Sequence, residues 1–249
     1  MNDIKASIVT VCKNSERTIE RTLRSVLGQT YKNIEYIIKD GGSTDDTLKI
    51  CNGLKEEFEQ NGMAMKIISA PDDGIYDAMN KGIDEATGDI VGILNSDDIY
   101  EKDTVEVMAK AYEKERFDLA FGDIRMVLPS GKTFVKKARL RSYTTSRDWN
   151  HPTQFVKRTV YDTYRYRCEN ISDDMDLYFR IKKDGKKIIV INKVLAEFMM
   201  GGVSSTIPIH EVGERIARRY RIYRRNGYSM FYIFECVAFE IIKYVGSKL

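Results

Sequence analysis

The stretch "GILNSDDIY" at residues 92–100 runs an apolar strand into two adjacent carboxylates, Asp97 and Asp98. Like charges side by side repel one another and resist burial. The pattern makes sense where a strand ends in a site and a cation or hydrogen-bond donors meet the charges there.

Upstream of it, strand and helix signals alternate. "ASIVTVC" is a short β-branched run that reads as a buried strand, followed by "SERTIERTLRSVLGQ" with Ile19, Leu23, Val26 and Leu27 at helical spacing and Asn14 or Ser15 as cap. "IEYIIKD" is a second strand ending at Asp40, "GGSTDDTLKICNGLKEEFEQ" a turn and helix, and "MKIIS" a third strand. "GIYDAMNKGIDEATG" is a helix closed by Gly88, and "DIVGIL" is the fourth strand, which delivers the carboxylate pair. This alternation predicts an α/β fold with a mostly parallel central sheet and helices on both faces. Ligands of such sheets bind at the carboxyl ends of the strands. The clusters "KNS", "DGGSTDD", "PDD" and "NSDD" all fall at that end and are expected to converge on one crevice.

Downstream the pattern loosens. "KDTVEVMAKAYEKE" reads as a helix, "FDLAFGDI" as a strand, and "RMVLPSGKTFVKK" as a hairpin around Pro129-Ser130-Gly131. "HPTQFVKR" is strand-like, "ISDDMDLYFRIKKDG" is a helix, and "KKIIVINKVLAEFMMGG" is a strand pair or a bend.

The chain has 249 residues, enough for one large domain or a domain with an appendage, with 43% hydrophobic and 31% charged residues as in ordinary globular proteins. The four cysteines are scattered without CxxC spacing, which suits reduced thiols better than zinc ligands or disulfides. The first residues lead straight into a strand, with no signal-peptide pattern, and the expected location is cytoplasmic. The net charge of +3 is segregated: from Pro208 onward eight Lys/Arg face four Glu. That imbalance marks contact with something anionic. In "HEVGERIARRYRIYRRNG", Val212, Ile216, Tyr220 and Tyr223 share one helical face and five of six arginines the other. "YSMFYIFECVAFEIIKYV" continues with a broad apolar face, but its three charges make spanning a bilayer costly. A membrane surface with anionic lipids, packing on the domain and a homodimer through the tail are the three readings. Nucleic acid is excluded by the short basic stretch and the slightly acidic remainder.

Bottom-up, Asp97 and Asp98 suit Mg²⁺ or Mn²⁺, which favour oxygen ligands and keep positions for waters and substrate phosphates. Asp40, before Gly41-Gly42, is placed to accept hydrogen bonds from a base or ribose, or else to cap a turn. Residues 6 to about 207 resemble a family 2 glycosyltransferase of the Rossmann-like GT-A fold. The resemblance rests on "SIVTVCKNSERTIERTLRSVLGQTYKNIEYIIKDGGSTDDT", "GIYDAMNKGIDEATGDIVGILNSDDIY" and "ISDDMDLYFRI". "DGIYDAMNKGI" and the late "GGVSS", which is expected to shape a loop over the site, are similar to a subgroup that builds bacterial surface polysaccharides, the colanic-acid type among them.

The resemblance implies a domain over 1–207, with a nucleotide-binding part to about 123 and an acceptor part over 124–207, followed by a basic helical tail at 208–249. It implies Thr10, Val11, Asn14 and Asp40 in the nucleotide pocket, with Asp73, Asn80, Lys81, Asn95, Ser96 and Asp97 toward the donor. "NSDD" matches the DXD metal motif, with Asn95 in the first position. Asp98 is expected on a Mn²⁺ or Mg²⁺ ion and Asp97 on the ribose or donor sugar, and the two can be exchanged. Many relatives carry an arginine where this chain has Met79, and Lys81 is the nearest replacement. Asp174 matches the base that deprotonates the acceptor, and Asp173 replaces the family's Glu; both also fit a helix-capping role.

His151 and Trp149 are placed to contact a sugar, or else sit in the core. The implied reaction is inverting transfer from a nucleoside-diphosphate sugar to a glycan or polyprenyl-diphosphate-linked acceptor, on the inner face of the cytoplasmic membrane. UDP is the commonest donor carrier in the family. The alternatives are a nucleotidyltransferase, whose Gly-rich basic loop is missing after the first strand, and a non-catalytic nucleotide-sugar-binding protein.

Overall fold

The computed structural model describes residues 4–200 and 209–246. The "GGVSS" segment lies outside them. In chain order the elements are β1 (Ala6–Cys12), α1 (Ile19–Leu27), β2 (Ile34–Asp40), α2 (Thr47–Gln60), β3 (Ala64–Ser69), α3 (Ile75–Asp84), β4 (Ile90–Ile93) and β5 (Ile99–Tyr100). Then come α4 (Thr104–Glu115), β6 (Leu119–Val127), β7 (Thr133–Lys136), β8 (Phe155–Lys157), α5 (Asp173–Lys183), β9 (Ile188–Met199), α6 (Ile209–Arg225) and α7 (Tyr232–Gly246). Nine strands form one sheet in the order β3-β2-β1-β4-β8-β6-β9-β5, with β7 beside β6.

The first four strands of that order pair in parallel, as the alternating pattern predicts. Beyond β4 the sheet becomes mixed: β8 runs antiparallel to β4 and β6, while β6 and β9 are parallel. Both faces are covered. On β1 and β2, Ile8 and Tyr36 belong to one core, under α1, α2 and α4, while Val9 and Ile37 belong to the other, under α3 and α5. The two-residue alternation of a strand thus feeds two apolar layers, and the strands read as continuous apolar runs. Glycine permits two close approaches. A Cβ on Gly82 would lie 2.4 Å from Val9 Cγ1, so α3 rests directly on β1. A Cβ on Gly92 would lie 2.8 Å from the Phe155 ring and the Tyr100 hydroxyl.

Three local expectations change. Residues 188–199 form a single strand whose register against β6 shifts around Asp123, rather than a pair. Ile99 and Tyr100, just past the carboxylates, form a short strand paired with Glu197 and Ala196. The α1 helix begins at Ile19, and neither Asn14 nor Ser15 caps it by a side chain. Asn14 instead adopts φ 51°, a left-handed conformation that Asn tolerates better than most residues.

The tail is part of the body of the protein. Tyr223 and Cys236 have no exposed surface and join Phe179 in the second core. Tyr223 stacks on Tyr232, Tyr228 meets both edge-on, and Tyr223 and Tyr228 also contact Phe179. Burying such side chains stabilises by roughly 2 kcal/mol each. One arginine expected on the outer face turns inward: Arg225 pairs with buried Asp176 at 2.7 Å, while Arg219, which falls beside Val212 on the helical wheel, pairs with buried Glu240 at 2.9 Å. Arg180, Arg167 and Asn226 also bond Asp176, so one carboxylate ties α5 to the end of α6. Among the described residues no helix is long and apolar enough to cross a membrane.

Candidate active site

The turns after β1, β2 and β4 meet at one edge of the sheet. Asn14 Oδ1 accepts from Thr44 N at 2.9 Å, and Asn14 N donates to Ser43 Oγ at 2.8 Å. Ser15 and Ser96 hydroxyls lie 2.9 Å apart and join the first turn to the "NSDD" turn. These three clusters therefore converge as the sequence implies. The fourth, "PDD", joins through a residue that the sequence reading passed over. Lys39 is 1% exposed and bonds the carbonyls of Asp40 and Ala70 and the Asp72 carboxylate at 3.3 Å. Its one signal is a lysine placed between the apolar run Tyr36–Ile38 and the strand-end Asp40.

Asp40 is fully buried and accepts from Gly42 N, Ser43 N, Ser43 Oγ and Ser69 Oγ at 2.5–3.2 Å. Burial alone would raise its pKa, but the bonds from Ser43, Ser69 and Gly42 outweigh it and hold the carboxyl below its ordinary value. Its lone pairs are already filled by the loop it organises. Thr10 is likewise internal, its hydroxyl 2.9 Å from that of Tyr36, and Val11 is buried. Asn80 bonds the backbone N and O of Tyr166 with its side chain. Lys81 pairs with Asp77 at 2.7 Å, and Asp73 is exposed, its N–H bonded to the same carboxylate.

The "NSDD" turn presents Asn95, Ser96 and Asp97 half-buried, whereas Asp98 has no exposed surface. Burial raises the Asp97 pKa, and the charge of Arg21 on α1 opposes the rise. Among the described residues neither Asp98 oxygen has a hydrogen-bond partner at bonding geometry, nor has Asn95 Oδ1. Burial, then the neighbouring Asp97 charge, push Asp98 well above the usual carboxylate range.

The second half of the site surrounds the start of α5. Asp173 is fully buried and accepts from Glu169 N and Asn170 Nδ2, at 2.6 and 3.0 Å. It holds the preceding loop, while Asp174 is half-exposed in the first turn, with Oδ1 accepting from Met175 N at 2.8 Å. Ser172 makes no capping bond. Against Asp174 stands Tyr76 of α3, whose hydroxyl donates to the Ile171 carbonyl at 2.9 Å and whose ring stacks on Tyr166. His151 Nε2 lies 3.2 Å from the Tyr166 hydroxyl; burial lowers its pKa and Asp174 partly restores it. Trp149 is 7% exposed and stacked on Tyr178, with its indole N–H unpartnered. A cleft of ≈ 340 Å³ opens between residues 73–77 and 168–171, beside this group. Tyr76 and Tyr166 escaped the sequence reading, because an aromatic at helical spacing reads as ordinary core.

The fold has known counterparts. The Glycosyl transferase family 2 profile matches residues 7–171. A Mycobacterium tuberculosis protein described as a PGL/p-HBAD biosynthesis glycosyltransferase is 32% identical over 228 residues, covering 87% of this chain and 85% of its own. The chondroitin synthase of Pasteurella multocida is 29% identical over 209 residues, which span 81% of this chain but 21% of that enzyme. Among solved structures, Staphylococcus aureus TarS 1–349 in complex with UDP-GlcNAc superposes with a TM-score of 0.69, 18% identity and coverage of 98% and 73%. The mannosyltransferase PcManGT of Pyrobaculum calidifontis, in complex with GDP-Man and Mn²⁺, gives 0.70, 15% identity and coverage of 99% and 74%. The chain belongs to glycosyltransferase family 2 and has the GT-A fold.

Proposed function

We propose that the protein transfers a sugar from a nucleoside-diphosphate sugar, UDP-linked in the first instance, to a hydroxyl of a glycan or lipid-linked acceptor, with inversion. The setting would be bacterial surface-polysaccharide biosynthesis. The observation that carries the reading is Asp174: a half-exposed carboxylate in the first turn of α5, facing Tyr76 and His151 beside a cleft. It would take the acceptor proton as the hydroxyl attacks the anomeric carbon. The names of the relatives, a PGL/p-HBAD biosynthesis glycosyltransferase and a chondroitin synthase, support the substrate class.

A Mn²⁺ or Mg²⁺ ion fits the "NSDD" turn. Among the described residues no cluster of three His, Cys, Asp or Glu side chains can hold a metal unaided, so the site needs a diphosphate to complete it. The half-buried Asp97 is the suitable oxygen donor of the turn, whereas Asn95 Oδ1, like the Asp98 oxygens, is buried and, among the described residues, unpartnered. Asp98 offers a cation no exposed atom, so the reading gives Asp97 the metal. The ion would stabilise charge growing on the departing diphosphate. Asp174→Asn keeps the size and cannot take a proton; transfer should fall by about 10²-fold or more while nucleotide binding stays intact. Near wild-type transfer would refute the assignment.

The outer side of α7 supports peripheral attachment to an anionic membrane face. Phe231, Phe234, Ile241 and Ile242 are more than half exposed, and Arg218, Arg221 and Arg224 are exposed on α6. Phe234→Ser with Ile241→Ser should abolish flotation with vesicles containing phosphatidylglycerol and leave the melting temperature unchanged. A concentration-dependent dimer that these changes dissolve would assign the face to a second copy instead.

A further inference from the structure

The tail meets α5 at the two positions that follow Asp174. Arg219 Nη1 stands 3.6 Å from Sδ of Met175, and Arg225 Nε donates to Asp176 Oδ1 at 2.7 Å. Met175 and Asp176 are both buried, Asp176 completely. Arg225 has a second partner. Its Nη1 pairs with Glu169, in the segment 168–171 that walls the cleft. One guanidinium thus spans the first turn of α5 and the cleft wall.

The wall is tied on its other flank to α3. The Tyr76 hydroxyl donates to the Ile171 carbonyl at 2.9 Å, and the Asn80 side chain bonds the backbone of Tyr166, just before the wall. Glu169 N donates to Asp173 Oδ2 at 2.6 Å. Inside the wall Cys168 adopts φ 60°. A side chain of that kind keeps a left-handed conformation only where its surroundings enforce it, and such positions gather at functional sites. The Arg225–Glu169 pair contributes little to global stability, since the two side chains are 23% and 47% exposed. Asp176 keeps Arg167, Arg180 and Asn226 when Arg225 is lost. The fold therefore does not depend on Arg225, whereas the place of the wall does.

We propose that Arg225 is a positioning residue for the transfer reaction. Acting through Glu169 and Asp176, it fixes the cleft wall relative to Asp174, so that α6 of the tail completes the active site. The inference rests on the transfer reading above and deepens it. A general base works only within hydrogen-bond reach of the proton it removes, and a misplacement of about 1 Å can cost roughly 10²-fold in rate.

The deciding comparison sets wild type beside Arg225→Met, Arg225→Lys, Glu169→Gln and the double variant Arg225→Met with Glu169→Gln. One readout is hydrogen exchange over residues 166–171. The other is Mn²⁺-dependent hydrolysis of whichever of UDP-glucose, UDP-galactose and UDP-GlcNAc the wild type cleaves. Arg225→Met should speed exchange in the wall about tenfold or more while the β1 and β2 amides keep their protection. It should lower kcat about tenfold with donor KM and UDP affinity unchanged. Arg225→Lys should recover little, because an ammonium does not bridge two carboxylates as the planar guanidinium fork does. Glu169→Gln should change both readouts in the same direction by less, and the double variant should be no worse than Arg225→Met alone. Effects that multiply in the double variant, wild-type exchange in the wall of Arg225→Met, or a parallel loss of UDP affinity would overturn the proposal. If Arg225→Met fails to fold, Glu169→Gln decides, and wild-type exchange and kcat in that variant refute the role. A wild type that neither binds UDP nor hydrolyses a donor would overturn the transfer reading instead, and the exchange readout would still decide whether Arg225 holds the wall.

Discussion

Two carboxylates at two strand ends meet opposite fates. Asp40, at the end of β2, and Asp98, just past β4, are both fully buried. Asp40 is surrounded by Gly42, Ser43 and Ser69 donors and is held ionised. Asp98 has, among the described residues, no partner on either oxygen and favours its proton. A buried charge is tolerated when its lone pairs are filled and is neutralised when they are not. So the Asp40 region is a finished piece of architecture. The "NSDD" turn is unfinished, and its half-buried member Asp97 is where a ligand can enter.

The sharpest way to break this contrast is at Asp97. Asp97→Ala should cut metal-dependent donor turnover by about 10²-fold or more, on the scale of losing an electrostatic stabiliser of the leaving group. Donor hydrolysis titrated with Mn²⁺ measures it. Full activity in Asp97→Ala, with loss of metal dependence in Asp98→Asn, would return the metal to Asp98.

Smaller effects are expected in stability, and they should diverge. Asp40→Asn removes a charged acceptor and sets an amide donor against Ser43 and Ser69, costing about 3 kcal/mol in denaturant melts. Asp98→Asn should cost within about 1 kcal/mol at acid pH, because the carboxyl it replaces is already neutral. The pH dependence follows from the directions. The folded pKa of Asp40 is lowered, so its contribution is present above the unfolded value near ~4 and is lost as pH falls through the folded pKa. The folded pKa of Asp98 is raised, so wild type loses stability as pH rises from ~4 toward the folded pKa, and Asp98→Asn escapes that loss. The gap between wild type and Asp98→Asn should therefore move in the variant's favour between acid and neutral pH. Equal pH slopes for the two proteins would show that Asp98 finds a partner in solution.

Much of the site was legible from residues that sit at strand ends, since apolar runs that stop at "D", "PDD" and "NSDD" mark the carboxyl edge of a parallel sheet. The role of Asp173 was legible only in part: the doublet "DD" opening a helix marks both residues, yet one turns inward to hold residues 169 and 170 and the other stays half-exposed. Neighbours in a helix point about 100° apart, so which of them is buried depends on the loop packed beside them. The tail shows the same limit. A helical wheel sorts arginines by angle, but Arg225, on the polar side, turns inward because Asp176 waits there, 49 residues away in the chain.

The sequence by itself determined the alternation of strands and helices, the edge at which the polar turns gather, and the family, because periodicity and short motifs are local properties. Only the tertiary structure decided which carboxylates are filled and which are left open. Ser69, which completes Asp40, is 29 residues away from it, and Thr22, which bonds the Asp98 carbonyl, is 76 away. A carboxylate's charge state is set by the donors within bonding distance, and in this chain those donors arrive from distant elements only when the sheet has formed.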